Sequence, residues 1–309
     1  MMRKMIWIAL TALMLALPCS ALADYRIQVA DGDLSQYPGL DENVKNILLI
    51  GIDSRQDQME AGRADTMLVC SVNQATGVTH LTSLARDTWV AIGDNGLHNK
   101  LNAAYSFGGP NLLMQTINRT YHLNIEDYVT VNFYGICDIV DAFGGITLEL
   151  KKGEPGMINA KVREFSGDEE NAAITPVPRD AQQAHLCGAQ ALAYARIRQL
   201  DNDFGRQARQ RNVLMAIARK VDECSMVQIL SLAATCFEHV STSLTMPEII
   251  ALAMKVMETG VTNIELHAYP QEGEFRYDSA NGVSKLIIDP AKGIEKIHGY
   301  LYAGADSDE

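Results

Sequence analysis

Asn46-Ile47-Leu48-Leu49-Ile50-Gly51 is an unbroken apolar run closed by a glycine. A run of this length and branching suits a buried strand, the kind that forms the interior of a sheet. Two more strands are expected over 66–73 and 78–84, with Ala75-Thr76-Gly77 as a tight turn between them. Helical signals begin near Asn99, and Gly108-Gly109-Pro110 opens a helix to about Tyr121. Leu112, Leu113, Thr116, Ile117 and Thr120 form one face of that helix. A strand over 128–133, a helix over 136–143 stopped by Gly144-Gly145, and a strand over 146–150 follow.

The stretch 151–180 is charged and contains Pro155, Pro176 and Pro178, so it reads as a long loop or flap. Helices are expected over 188–196, 205–221, 226–237 and 247–259, then a strand over 264–269 and a last helix over 290–301. In the helix at 205–221, Val213, Leu214 and Ile217 face the core. Interleaved strands and helices predict an α/β fold with a mixed central sheet sandwiched between helices. No internal repeat is present, and nothing marks a boundary after residue 43, so 43–303 reads as one domain.

Arg3 and Lys4 precede an apolar segment broken by Pro18, and Ala21-Leu22-Ala23 follows. This is the pattern of an export signal over 1–23, with cleavage after Ala23 or retention as a signal anchor both open. The segment is shorter than the ~20 apolar residues that span a bilayer comfortably. Residues 24–42 are polar, with Gly and Pro, and read as a linker. The expected location is extracytoplasmic, in the cell envelope, either free or tethered by the N-terminal segment.

The chain has 309 residues, 47% of them hydrophobic and 21% charged, enough to bury a substantial core. Its formal charge is −12, and loss of Arg3 and Lys4 on export moves it to −14. Such acidity excludes nonspecific nucleic-acid binding, which requires a basic surface. Besides Cys19 there are Cys70, Cys137, Cys187, Cys224 and Cys236, with no CxxC pair and no histidine in register, so no zinc motif is read. Cys70 and Cys137 read as core residues, and pairing among Cys187, Cys224 and Cys236 stays open. The seven histidines show no HxxxH or HExxH spacing, and neither a GxSxG elbow nor a P-loop occurs.

Against this acidic background, Arg196, Arg198, Arg206, Arg209 and Arg211 fall within sixteen residues. A guanidinium is a planar, permanently charged fork that grips phosphate oxygens in pairs. The cluster straddles a loop-to-helix junction, where backbone amides also favour an anion. Asp203 stands where it could cap the helix, and Arg206 and Gln210 share one helical face. The competing reading is a solvated, salt-bridged helix surface. Arg63-Ala64-Asp65 leads into one strand and Arg86-Asp87 closes the next, so an antiparallel hairpin brings these ends together. Asp53 ends the first strand. Asp53, Asp65 and Asp87 thus converge either around a hard cation such as Mg²⁺ or as strand-end ion pairs with Arg63 and Arg86. Lys100 adds a point charge for a phosphate or is a surface lysine.

Taken in order, residues 46–53, Gly62-Arg63-Ala64-Asp65-Thr66, Ser83-Leu84-Ala85-Arg86-Asp87-Thr88, Asn99-Lys100-Leu101-Asn102-Ala103-Ala104-Tyr105 with Gly108-Gly109, Asp141-Ala142-Phe143-Gly144-Gly145, and 188–210 resemble the LytR-CpsA-Psr family. The resemblance covers roughly residues 43–222. It implies a phosphotransferase that moves a glycopolymer from an undecaprenyl-pyrophosphate carrier to a peptidoglycan sugar hydroxyl, leaving a phosphodiester. The implied setting is the outer face of the cytoplasmic membrane, with an apolar pocket between sheet and helices for the polyprenyl chain.

By motif position, Asp53 and Asp65 look like ligands of Mg²⁺, or of Mn²⁺ in its place. Arg63, Arg86, Lys100, Arg196, Arg198, Arg206 and Gln210 look like the pyrophosphate grip. Arg86, Asp203 and Arg206 look catalytic, Asp203 orienting Arg206 or taking the acceptor hydroxyl's proton. Two departures stand out: Ala85 replaces the proline common before the arginine-aspartate pair, and the N-terminal apolar segment is short. Hydrolysis of a polyprenyl pyrophosphate, or an envelope lipid-binding or regulatory role without turnover, are the alternatives. A transcription regulator is disfavoured by the acidity and the export signal.

Overall fold

The computed structural model describes residues 37–52, 63–93, 97–165, 174–201, 203–225, 228, 232, 240–259, 263–279 and 284–302. The opening apolar run becomes β1 (Val44–Ile52), and its alternating side chains serve two interiors. Leu48, Ile50 and Ile52 join one buried core with Met67 and Val69 of β2 (Ala64–Asn73). Leu49 and Gly51 face the other way, beside Thr66 and Leu68, onto a cavity.

β1 pairs antiparallel with β2, which pairs antiparallel with β3 (Thr79–Leu84) across the expected turn. On its other side β1 runs parallel to β6 (Ile125–Asn132), and β6 pairs antiparallel with β9 (Val240–Thr242). β10 (Ile264–Tyr269) lies parallel to β3 at the far edge. The order β10-β3-β2-β1-β6-β9 makes the mixed sheet that the interleaved pattern predicts.

The first face is covered by α1 (Ala103–Tyr121) and α7 (Pro290–Leu301), whose Leu113, Ile117, Tyr121, Ile297 and Leu301 are buried against β1 and β2. Each fully buried aliphatic side chain of this kind contributes roughly 1.5–3 kcal/mol. Inside α1, Gly109 has φ 64 and ψ −160, so the regular helix restarts at Pro110, where the sequence pattern opens it. On the second face, α2 (Phe133–Ala142), α4 (Gly188–Ala195) and α5 (Asp203–Glu223) pack with a ribbon of β7 (Ile146–Glu149) and β8 (Gln183–Leu186). Val140, Ile146, Ile158, Leu186, Tyr194 and Val213 form that second core. α6 (Met246–Thr259) falls on the helix expected at 247–259. Among the described residues no helix is long and apolar enough to cross a membrane.

Three expectations are corrected. Residues 99–100 are not helical: β5 (Leu97–Lys100) pairs with β4 (Trp89–Ile92), and the helix begins only at Ala103. The stretch 151–180 is not all loop, because α3 (Glu154–Phe165) occupies its first half. Pro155 sits in the first turn of α3, where a missing N–H costs nothing, and Ile158 and Val162, four apart, are buried. The exposed charges of Arg163 and Glu164 and the half-buried Lys161 flank that stripe and hid it in the sequence. Asp203 does not cap α5 from outside but lies in its first turn. A further hairpin, β11 (Phe275–Asp278) with β12 (Lys285–Ile288), carries no signal read in the sequence.

The four described candidates Cys70, Cys137, Cys187 and Cys224 are free thiols. Burial pushes both Cys70 and Cys137 up to about 12. The export segment 1–23, most of the linker, the loop with Asp53, Cys236 and nearly all of 226–237 lie outside the described residues.

Candidate functional site

The antiparallel register of β2 and β3 sets Leu68 opposite Ser83, and carried three residues further it sets Asp65 opposite Arg86. Arg86 sits in a turn after β3, closed by Thr88 N–H and Oγ1 donating to Ala85 O at 3.2 and 2.7 Å. That turn is held from three sides. Ala85 N donates to Tyr269 O (3.0 Å), Asn102 N to Arg86 O (3.2 Å), and Leu286 N to Asp87 O (3.1 Å). These bonds fix where the side chain starts, and Asp65 fixes its guanidinium.

Around Asp65 the cations gather. Arg86 Nη1 donates to Asp65 Oδ1 at 2.5 Å, and Arg198 Nη2 to Asp65 Oδ2 at 3.0 Å. Arg206 Nη1 stands 4.0 Å from the same Oδ2, while its Nη2 lies 2.6 Å from Asp203 Oδ1. Arg86 Nε is 3.7 Å from Asp203 Oδ1 and 3.9 Å from Asp87 Oδ2. Lys100 Nζ reaches Asp87 Oδ1 at 2.8 Å. Arg86, Lys100, Arg198 and Arg206 thus share Asp65, Asp87 and Asp203, which leaves one positive charge over in a chain of net charge −12.

Arg206 is only 2% exposed, and among the described residues none of its three side-chain nitrogens meets an acceptor in hydrogen-bonding alignment. The Nε of Arg86 is buried and unpartnered in the same way. Burial lowers the pKa of Arg206, Asp203 opposes that, and the neighbouring Arg86 lowers it further. For Arg86, burial also pulls down, but Asp65, Asp203 and Asp87 together outweigh it and raise the value. Buried polar groups in folded proteins are almost always paired, so adjacent guanidiniums with idle N–H groups mark a receptor for an anion.

The second face of the sheet holds an apolar cavity of about 220 Å³, walled by Leu49, Leu68, Val129, Val131, Leu192 and Leu214 among others. Of four polar residues in its wall, three, Thr66, Arg196 and Gln210, are sequence neighbours of the cluster: next to Asp65, two before Arg198, and one turn after Arg206; the fourth is Asn132. Cavity and arginine cluster therefore adjoin. Gly51 is required here, since a Cβ would come within 2.9 Å of the Thr66 Cβ.

Asp65, Arg86, Lys100, Arg198, Asp203 and Arg206 come together as the motifs predict. Lys100 does so from a strand end through Asp87, not from a helix start. Arg196 and Gln210 stand in the cavity wall, and Arg63 is exposed just before β2, outside the ion-paired group. Asp53 lies outside the described residues. Asp87, which the sequence places among three converging carboxylates without a role of its own, joins Lys100 to Arg86. Arg209, from the same arginine run, is not part of the site: it is bound by Glu154, Asp201 and Ile197 O.

Oxygen donors suited to a hard cation are present at Asp65, though both its oxygens are taken by guanidiniums. One of these partners, Arg198, is 55% exposed and free to swing toward an incoming anion, releasing Oδ2. Asp65 is thus an oxygen donor of the kind Mg²⁺ takes, engaged here by guanidiniums, and its expected partner Asp53 lies outside the described residues.

The model of the LytR-CpsA-Psr family matches residues 23–297. The polyisoprenyl-teichoic acid–peptidoglycan teichoic acid transferase TagU of Enterococcus faecalis is 40% identical over 179 residues, 57% of this chain and 53% of that protein. The chain thus spans about half the length of that relative. The TagU of Bacillus cereus is 31% identical over 249 residues, 80% of this chain and 74% of the other. The crystal structure of Bacillus subtilis TagV superposes with a TM-score of 0.66 at 25% identity, covering 85% of this chain and 98% of that one. By the match over residues 23–297 and the extent of its likeness to the Bacillus cereus relative, the chain belongs to the LytR-CpsA-Psr family.

Proposed function

We propose that this protein transfers a glycopolymer from a polyprenyl-pyrophosphate carrier to a sugar hydroxyl of peptidoglycan in the cell envelope, outside the cytoplasm. The observation that carries the reading is the buried guanidinium of Arg206 beside the half-buried Arg86, with unpartnered N–H groups on both, next to an apolar cavity walled by their sequence neighbours. A lipid pyrophosphate has those two parts side by side, an anion and a hydrocarbon chain. The TagU relatives are named as teichoic acid transferases, and TagT has been solved bound to LIIa-WTA; both support the substrate class. The apolar export segment supports the location, whether cleaved or kept as an anchor.

The pyrophosphate oxygens accept from Arg86 and Arg206, and Arg198 turns from Asp65 to meet them. The polyprenyl chain enters between the sheet and α4–α5, past Arg196 and Gln210. The acceptor hydroxyl oxygen attacks the phosphorus that bears the glycopolymer, its proton leaves to Asp203 or water, and the bond to polyprenyl phosphate breaks. Negative charge grows on the bridging and terminal oxygens, and preorganised guanidiniums stabilise it without reorganising. Mg²⁺ held by Asp65 and Asp53 would neutralise further pyrophosphate charge; Mn²⁺ has the same oxygen preference.

The test is incubation of the chain with a glycan-bearing polyprenyl pyrophosphate, with and without a peptidoglycan acceptor. Transfer should require the acceptor, and Arg86→Ala should slow it about 10²–10³-fold while the fold survives. Release of polyprenyl phosphate at equal rate without acceptor would make the protein a pyrophosphatase. Binding without consumption of the lipid would make it a carrier. Near-wild-type transfer by Arg86→Ala would remove that arginine from the site.

A further inference from the structure

At the far end of β3 from Arg86, the parallel pairing with β10 sets His80 opposite Glu265, and His267 follows two residues later on the same face. Three potential ligand atoms converge there. His80 Nδ1 lies 3.2 Å from His267 Nε2 and 3.5 Å from Glu265 Oε2, and His267 Nε2 lies 3.6 Å from the same oxygen. The triangle is nearly equilateral. Ligand atoms on a tetrahedral zinc, bound at about 2.0–2.1 Å, are separated by about 3.3–3.5 Å, so these three atoms already form one face of such a tetrahedron. Among the described residues this is a group of three whose donor atoms all fall within 4.8 Å of one another.

The neighbours prepare the group rather than crowd it. The His267 ring stacks on Tyr300 of α7, centroids 4.2 Å apart and planes 13° off parallel, which fixes its direction. His80 is 11% exposed, while Glu265 is 60% exposed, so the side for a fourth ligand opens to solvent.

We propose that His80, Glu265 and His267 form a zinc site, with water as fourth ligand, that latches the edge strand β10 to β3. The site takes no part in phosphoryl transfer, because it lies at the other end of β3 from the Arg86 turn, roughly 13 Å of strand away at 3.3 Å per residue before the turn begins. Its effect is mechanical. β10 ends at Tyr269, whose carbonyl receives the Ala85 N–H, so a latched β10 steadies the turn that carries Arg86.

The experiment is equilibrium dialysis of the metal-free full chain against Zn²⁺ alone, with Co²⁺ substitution read by visible absorption. One tightly bound Zn²⁺ per chain and the intense bands of a tetrahedral cobalt site are expected, with a melting temperature about 5 °C higher at saturating zinc. His267→Gln should lose the bound ion and the cobalt bands. Glu265→Gln, at an exposed position that cannot unfold the sheet, should weaken binding by at least the 10–100-fold that even outer-shell changes bring. Transfer by both variants should match wild type well below the melting transition, where Asn102 and Leu286 still brace the Arg86 turn, and fall below it only as that temperature is approached. Zinc bound equally by wild type and both variants, or no zinc bound at all, would overturn the site and leave a plain histidine–histidine hydrogen bond. Neither outcome bears on the phosphotransferase reading, which the Arg86 experiment tests separately.

Discussion

Arg206 and Arg209 leave the same helix three residues apart, and both are almost wholly buried, 2% and 3% exposed. Arg209 is nearly saturated. It donates to Asp201 through both terminal nitrogens (2.8 and 2.6 Å), to Glu154 (3.3 Å) and to Ile197 O (2.9 Å). Burial alone would lower its pKa, yet the bonds and charges of Asp201 and Glu154 raise it. Arg206 faces Asp203 and Asp65, but none of its nitrogens is aligned on an acceptor, and its pKa is lowered. Partner supply, not depth, separates a guanidinium that holds the fold from one held in readiness for a ligand. Arg209 ties the segment bearing Arg196 and Arg198 onto α5 through Asp201 and Ile197, so the satisfied arginine positions part of the unsatisfied one's company.

The largest effect should come from breaking the satisfied member. Arg209→Met strands Glu154, itself 2% exposed, as a buried carboxylate, and should cost about 3–5 kcal/mol of stability in denaturant melts. Adding Glu154→Gln should recover much of that loss; no recovery would mean that Arg209 acts through packing rather than charge. Arg206→Met should do the reverse. It should slow transfer about 10²–10³-fold, roughly 3–4 kcal/mol, while melts change little because Asp203 is 30% exposed and keeps Gln207 as a donor. A large drop in stability together with intact turnover would erase the distinction between the two arginines.

The smallest effect concerns Asp201, whose carboxyl the Arg209 hydrogen bond holds below the ordinary aspartate value, against burial. A depressed folded pKa adds stability above the unfolded value of about 3.9, and that stability is lost as pH falls through the lower folded value. Asp201 is 38% exposed, so solvent screening keeps the contribution under about 1 kcal/mol. Melts of wild type and Asp201→Asn should therefore differ near neutrality and converge in acid; a gap independent of pH would place the effect elsewhere.

Local signals carried much of this. The β1 run, the turn at Gly77 and the glycines after α2 each announce an element within a few residues, and the strand-end motifs bring Asp65 to Arg86 by simple hairpin register. What stayed hidden depends on partners remote in the chain. The helix α3 begins at a buried Glu154 that makes sense only beside Arg209, 55 positions on. Nothing in the arginine run tells Arg206 from Arg209, since both lie on one helix and only the carboxylates reaching them differ. His80 and His267 come from strands 187 positions apart, so a search for short histidine spacings passes over them. The β11–β12 hairpin is short and half exposed, and its role is to support a turn formed much earlier.

The backbone bonds from Ala85 to Tyr269 and from Leu286 to Asp87 have a consequence in time. A ribosome makes the Arg86 motif long before the segments that brace it, and the same order applies if the chain is threaded outward through a membrane. Until the final strands have emerged and docked, the turn lacks two of its three outside braces, so a half-delivered chain holds the whole motif without its full support. Delivery of the last strands thus completes the frame around a motif laid down far earlier.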